Sequence, residues 1–270
     1  LKDFEFPLPP LDEQKRIAEI LWAADTLLEK RQVCIERIQE LRRSCLSEML
    51  AGGIGHSTIN QFKLRQIPPG WEKVSISQIS TVIRGASPRP KGDPRYYGGN
   101  VPRVMVADIT RDKKYITPSI DYLTDMGAEK SRPVPKGTLV VVCSGTDKAV
   151  GLPGILSIDA CIHDGIIGLI DIDKSCRTGW LFYVFNYFQS FMNAAATHGG
   201  TFVNLTTDIV KGIEFALPPM DVQDEFIRTM NVIEENLANQ EMQISFDRGV
   251  LSSLSKWWLI DNCQGERSHV

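Results

Sequence analysis

The sequence predicts an α+β fold: a mixed α/β globular domain attached to an antiparallel two-helix coiled-coil rod. Three observations predict it. The phrase EFPLPPLDEQ, beginning at Glu5, returns as EFALPPMDVQ, beginning at Glu214; each copy precedes a long helical pattern without proline; and the stretch between them carries short alternating strands. A repeat separated by so much chain is a duplicated module rather than a solenoid unit.

The elements follow in order. Residues 1–14 read as a strand end, Leu1 to Phe6, and a Pro9-Pro10 brake that permits neither helix nor ladder. Asp12 is a candidate N-cap, as is Asp221 in the second copy. Residues 15–52 form the first long helix. Its seam, Ile17, Leu21, Ala24, Leu28, Arg31, Ile35, Ile38, Arg42, Cys45 and Met49, steps by four and three as a heptad does. A helix of about 34 residues spans roughly 50 Å. Residues 217–262 repeat the design with Phe226, Met230, Ile233, Leu237, Gln240, Ile244, Asp247, Leu251, Leu254 and Trp258. A single amphipathic helix packs as readily on a core. Two matched copies, with seams interrupted by Arg31, Arg42, Gln240 and Asp247, favour helices that pair with each other, polar positions setting the register.

Between the helices, residues 60–216 form the globular domain. IPPGW, from Ile67, is a turn with an apolar anchor. Strands are predicted at Val74–Ile79, Val101–Val106, Leu139–Cys143, Ile155–Ile158 and Ile166–Ile170, divided by Gly, Pro, Asp and Asn clusters. Trp180 to Ala196 reads as a buried helix.

Composition narrows the function. With 270 residues and 43% apolar content the chain has a core to bury, and the formal charge of -3 conceals a split. Residues 60–210 hold 17 Lys and Arg against 13 Asp and Glu; residues 1–59 hold 8 against 10, and residues 211–270 hold 5 against 10. The middle suits a polyanion and the ends suit protein. Six cysteines without a CxxC pair argue against disulfides and structural zinc, and for a reducing, cytoplasmic setting. No apolar run is long enough for a membrane helix. Leu1 is not an initiator Met, so the sequence reads either as a cut inside a longer protein or as numbered from after removed residues.

The loop IRGASPRPKGDPRYYGGNVPR concentrates the basic charge. From Arg84 to Lys114 eight basic residues stand against Asp93, Asp108 and Asp112, with Tyr96 and Tyr97 interleaved. Mobile Lys and Arg reach phosphates, whereas Arg and small polar side chains read base edges. The candidates for contact with DNA are Arg84, Ser87, Arg89, Lys91, Lys113, Lys114, Thr146, Lys148, His198, Thr201 and Asn204. Arg89 is expected to read bases and Lys113 to hold phosphate. A charge run is also what a solvated face looks like, and an interaction protein built on the coiled coil, binding no DNA, is the competing reading.

Catalytic readings are weaker. DPRY at Asp93 departs from an amino-methyltransferase loop, because Arg95 stands where a second proline belongs and no glycine-rich cofactor loop precedes it. Cys143 ends an apolar strand, which suits a packed thiol better than a nucleophile served by His163. His198 has no companion at metal spacing. No catalytic or metal-binding residue is assigned.

LPPLDEQKRI, PPGW, GASP with YYGGNVPRVMVADI, KGTLVVVCSGT and GGTFVNLTTDIVKGIEFALPP resemble, in their order and spacing, the specificity subunit of type I restriction-modification enzymes. The resemblance runs from Leu1 to about Gly265. It implies a target recognition domain between two spacer helices, one of two such domains in a subunit, each reading half of a split DNA site. It further implies double-stranded DNA, methyltransferase subunits and motor-nuclease restriction subunits as partners, with a second copy of this chain as another source of the missing half. S-adenosylmethionine, ATP and Mg would belong to the partners. The helix-pairing residues would be Ile17, Leu21, Leu28, Ile35 and Ile38 against Met230, Ile233, Leu237, Ile244 and Leu251. Two departures stand out: Val222 replaces the Glu of the first junction, and CIHDGIIG occupies the place of a usual Asn-Gln pair.

Overall fold

The computed structural model of the protein describes residues 8–51, 67–146, 148–199 and 202–264. The expected strand of Leu1 to Phe6 lies outside them. Along the chain, α1 (Leu11–Ala51) is followed by β1 (Glu72–Ser75), α2 (Ile76–Ile79), β2 (Thr81–Arg84), β3 (Tyr97–Val104), α3 (Val106–Asp112), β4 (Tyr115–Ile116) and β5 (Asp121–Leu123). Next come α4 (Asp125–Glu129), β6 (Pro133–Val134), β7 (Leu139–Val142), β8 (Ser144–Gly145), β9 (Pro153–Leu156), β10 (Ala160–Ile162) and β11 (Ile166–Ile170). The order ends with α5 (Thr178–Ala195), β12 (Thr197–Gly199), β13 (Phe202–Asn204), α6 (Thr207–Lys211), β14 (Glu214–Leu217) and α7 (Met220–Gln264).

Both long helices begin directly after Pro-Pro. The carbonyl of Pro10 accepts the Gln14 amide at 3.0 Å, and that of Pro219 accepts the Gln223 amide at 3.1 Å, so the second proline closes the first turn. Asp12 and Asp221 therefore lie inside the first turn and are not N-caps; there they face the positive end of the helix dipole.

Two compact units emerge. The first comprises α1 up to Ser44 and α7 from Thr229. Its helices are antiparallel: Arg31 Nε stands 2.8 Å from Asp247 Oδ2, whereas Arg42, farther along α1, stands 3.6 Å from Glu234, farther back along α7. The predicted seam is the covered face. Ile35, Met230, Ile233 and Ile244 are buried, and Ile17, Leu28, Ile38, Leu237 and Leu251 are half-buried. Leu21 and Leu254 depart from the expectation, at 42% and 40% exposed. A seam residue in a two-stranded rod is covered by only one facing helix, which leaves a flank open.

The second unit runs from Cys45 to Arg228. A five-stranded sheet in the order β2-β11-β7-β9-β4 and a four-stranded sheet in the order β5-β3-β10-β6 enclose its core. Val140, Val142, Leu156, Ile162 and Ile166 meet Ile109 and Ile116 there. α5 is apolar nearly all round, as a buried helix should be, with Trp180 and Tyr183 fully enclosed. The anchor Trp71 packs edge-on against Trp180 at 6.0 Å, and Phe226 packs against the same ring at 5.3 Å. β1 pairs antiparallel with β14, Glu72 opposite Leu217, so the beginning and end of the unit are joined. Pro218 then stops the ladder, because it has no N–H to offer.

Two predicted strands give way to a helical turn before their expected end. The one expected over Val74–Ile79 stops at Ser75, where the amide donates to Gln78 Oε1 at 2.6 Å and starts the α2 turn. The one expected over Val101–Val106 begins at Tyr97 and stops at Val104; the Met105 amide donates to Asp108 at 2.9 Å and starts α3. Both are side-chain caps, which satisfy amides that a strand would have paired.

Candidate nucleic-acid interface

β2 delivers Arg84 as its last residue, and a loop follows that is anchored residue by residue. The Gly85 amide donates to the Ile166 carbonyl at 2.9 Å, and the Ala86 amide to the Ile162 carbonyl at 3.1 Å. Ser131 Oγ donates to the Ala86 carbonyl at 2.7 Å, Arg103 Nη1 to Ser87 Oγ at 3.3 Å, and the Tyr97 hydroxyl to the Pro88 carbonyl at 2.8 Å. Gly85 has to be glycine, since a Cβ there would lie 2.1 Å from the His163 carbonyl oxygen. The sequence predicts a mobile loop, whereas these bonds tie residues 85–88 to the strands and loop around them. Its outer residues, Arg89 and Lys91, are exposed.

Behind the loop lies Arg103, 2% exposed, ion-paired with Asp121 and set 5.1 Å from the centre of the Tyr97 ring. Beside it, the turn after β10 brings His163 and Asp164 to the surface. Arg84 Nε donates to the Asp164 carbonyl at 3.0 Å, and its Nη2 donates to Asn204 Oδ1 at 3.1 Å. Arg89 Nη2 stands 3.5 Å from Asp164 Oδ2. His163 Nδ1 accepts the Gly165 amide at 2.9 Å, which assigns the ring proton to Nε2. Asp164 Oδ1 also lies 3.0 Å from Nδ1, a contact that becomes an ion pair only if the ring is protonated. Burial holds the imidazole below its ordinary pKa, against the opposing pull of Asp164.

Two adjoining cavities result. One, of about 210 Å³, is lined by Ser87, Arg89, Lys91 and Arg103 among others, and one of about 530 Å³ by Arg84, Ser144, Gly145 and Gly165. His163 and Asp164 line both.

The candidates thus separate. Arg84, Ser87, Arg89, Lys91 and Asn204 gather around these cavities. Thr146 and Lys148 are exposed on the turn after β8, whose Ser144 and Gly145 pair with β13. Of His198 only the backbone, in the β12–β13 hairpin, is described, and Thr201 lies outside the described residues. Lys113 is exposed but precedes β4, at the opposite edge of the five-stranded sheet from β2. Four strand spacings, about 19 Å, separate those edges. Lys114 corrects the sequence reading outright. Only 9% exposed, it donates to the Tyr183 hydroxyl at 2.6 Å and sits 4.6 Å from the centre of that ring. It is a core residue that reaches no phosphate. Arg95 and Arg111, counted in the basic run, are paired with Asp93 and Asp112.

Arg103, His163 and Asp164 were missed. Arg103 stood in the basic run, and the signal for His163 and Asp164 was the unusual CIHDGIIG segment. Cys143 does not pair with His163: its thiol donates to the Asp164 carbonyl at 3.8 Å, and burial pushes its pKa up to about 11. Among the described residues, no His, Cys, Asp and Glu group is placed to hold a metal ion, and no helix is long and apolar enough to cross a membrane.

Comparison with known proteins converges on one family. The model of the type I restriction modification DNA specificity domain matches residues 68–245. A Methanocaldococcus jannaschii protein carrying the name of the type I restriction enzyme MjaX specificity subunit is 23% identical over 238 residues, which cover 87% of this chain and 53% of that protein. The HindI specificity subunit of Haemophilus influenzae is 26% identical over 177 residues, 64% of this chain and 38% of that one. The crystal structure of the HsdS subunit from Thermoanaerobacter tengcongensis has the same fold, with a TM-score of 0.64 at 21% identity over 96% of this chain and 60% of that one. The chain thus spans about half the length of the first of these relatives.

Proposed function

The chain belongs to the type I restriction-modification DNA specificity domain family, and from that premise we propose that residues 60–216 read one half of a bipartite duplex DNA site. The observation that carries this reading is the convergence of Arg84, Arg89, Lys91 and Asn204 on one anchored surface. Arg84, held by hydrogen bonds to the Asp164 carbonyl and Asn204, loses little freedom on binding, which favours discrimination between base edges that differ by one group. Recognition is the chain's own contribution. Methylation and cleavage would be performed by methyltransferase and restriction subunits, which would bring S-adenosylmethionine, ATP and Mg.

The helices would act as ruler and dock. Polar pairs such as Arg31 with Asp247 fix their register, and that register would set how many base pairs stay unread between half-sites. On α7, Met242, Phe246, Val250 and Leu254 expose an apolar row at helical spacing, suited to receiving a helix of a methyltransferase subunit. The other half-site would be read by a second recognition domain, in a longer chain or in another copy of this one.

The test is selection from a randomised duplex library at two salt concentrations, using this chain assembled with its methyltransferase subunits. A short enriched motif supports the reading, and binding without enrichment, or none, opposes it. Lys91→Ala should weaken every sequence alike and reduce the slope of log affinity against log salt by about 1, whereas Arg89→Ala should relax one position of the motif. Lys114→Met should leave that slope unchanged.

A further inference from the structure

A carboxylate at the centre of a basic surface needs an explanation. Asp164 lies between the two cavities with its side chain 39% exposed, flanked by Arg84, Arg89 and Lys91. Facing DNA phosphates it would repel them. Merely restraining Arg89 is a weak reason for its presence, because an ion pair with one partner 72% exposed contributes little. A carboxylate has only acceptors to offer, so what it meets in the major groove has to be an amino group, cytosine N4 or adenine N6.

Arg89 decides between them. A guanidinium fork takes two neighbouring acceptors, and only guanine, with N7 and O6, presents them side by side on one base. On the edge of a G·C pair the order is N7, O6, N4: two acceptors, then a donor. Guanine O6 and cytosine N4 are joined by an N–H···O hydrogen bond of about 2.9 Å. The complementary donor and acceptor on the protein, Arg89 Nη2 and Asp164 Oδ2, stand 3.5 Å apart. On an A·T pair the donor lies between two acceptors, and the fork cannot engage both.

We propose that Asp164 and Arg89 together recognise one G·C pair through its major-groove edge, Asp164 accepting from cytosine N4 and Arg89 donating to guanine N7 and O6. The backbone fits this task. The Asp164 carbonyl receives Arg84 Nε and the Cys143 thiol, so the carboxylate stands on a fixed support. The assignment rests on the DNA-reading function proposed above.

The full chain with its methyltransferase subunits, as wild type, Asp164→Asn and Arg89→Ala, is selected against randomised duplex DNA. Wild type is expected to enrich a motif with one G·C position. Asp164→Asn, nearly the same size, should cut the preference for cytosine there about tenfold and admit adenine, which Asn contacts through N6 and N7, with other positions unchanged. Arg89→Ala should relax the same base pair. An unchanged motif in Asp164→Asn, uniform weakening with the motif intact, relaxation at different positions in the two variants, or an A·T pair in the wild-type motif at the affected position overturns the assignment and leaves DNA reading standing. No motif from wild type overturns both. A thermal melt matching wild type confirms that the variants are folded.

Discussion

Arg31 Nε stands 2.8 Å from Asp247 Oδ2 across the rod, and the same guanidinium donates through Nη1 to Gln240 at 3.4 Å. All three interrupt otherwise apolar seams. The Nε proton is not aligned on the carboxylate, so this is a charge contact rather than a well-formed hydrogen bond. Polar residues at seam positions reduce stability but select one register, since any slip leaves them facing apolar neighbours.

This arrangement makes a measurable demand. With the side chains 22% and 23% exposed, Arg31→Leu or Asp247→Leu strands a half-covered charge and should lower stability by about 1–2 kcal/mol. The double variant should recover most of that loss, because two leucines pack across the seam. Urea denaturation of the four proteins completes the cycle, and strictly additive losses would show that the two residues do not interact.

The duplicated phrase encodes a second relationship. Gln14 Nε2 donates to the Pro9 carbonyl at 2.7 Å, and Gln223 Nε2 to the Pro218 carbonyl at 2.8 Å, the same bond in both copies. Gln223, fully buried, also donates to the Ser175 carbonyl and accepts the Arg177 amide, both at 2.8 Å. Gln223→Leu leaves three backbone groups, one buried and two part-buried, without this partner and should cost about 2–3 kcal/mol; Gln14→Leu, with one part-buried bond, should cost about 1. Denaturation of the full-length variants compares them. Equal losses would mean that the extra bonds of Gln223 contribute nothing.

Much of this was readable from the sequence, because heptad spacing is local and two matched copies reinforce each other. Ile35, Met230, Ile233 and Ile244 are buried where the seam requires it. Contacts distant in sequence were not readable. Lys114 looked like one more cation in a basic run, since nothing near it announces Tyr183, 69 positions away. Strands β8, β12 and β13 are two or three residues long, too short for any alternation to show. Asp164 reaches the candidate surface only because β10, lying between β3 and β6, ends beside the loop that follows β2.

His163 carries a pH dependence of definite sign. Its imidazole is held below the ordinary value of 6.5, first by burial, then by the nearby charges of Arg103 and Lys91, with Asp164 and Asp121 opposing. Between the lowered folded pKa and 6.5 the unfolded chain binds more protons than the folded one, so stability rises with pH through that window. The contribution is complete above the unfolded value and is lost on acidification. Protonation also removes the Nδ1 lone pair that accepts the Gly165 amide, and would turn that nitrogen toward Asp164. His163→Gln keeps an acceptor but no titrating group. From about pH 7.5 to about pH 5.5, across the unperturbed histidine value, wild type should therefore lose more stability than the variant. Parallel curves in denaturant titrations at the two pH values would show that His163 titrates alike in both states.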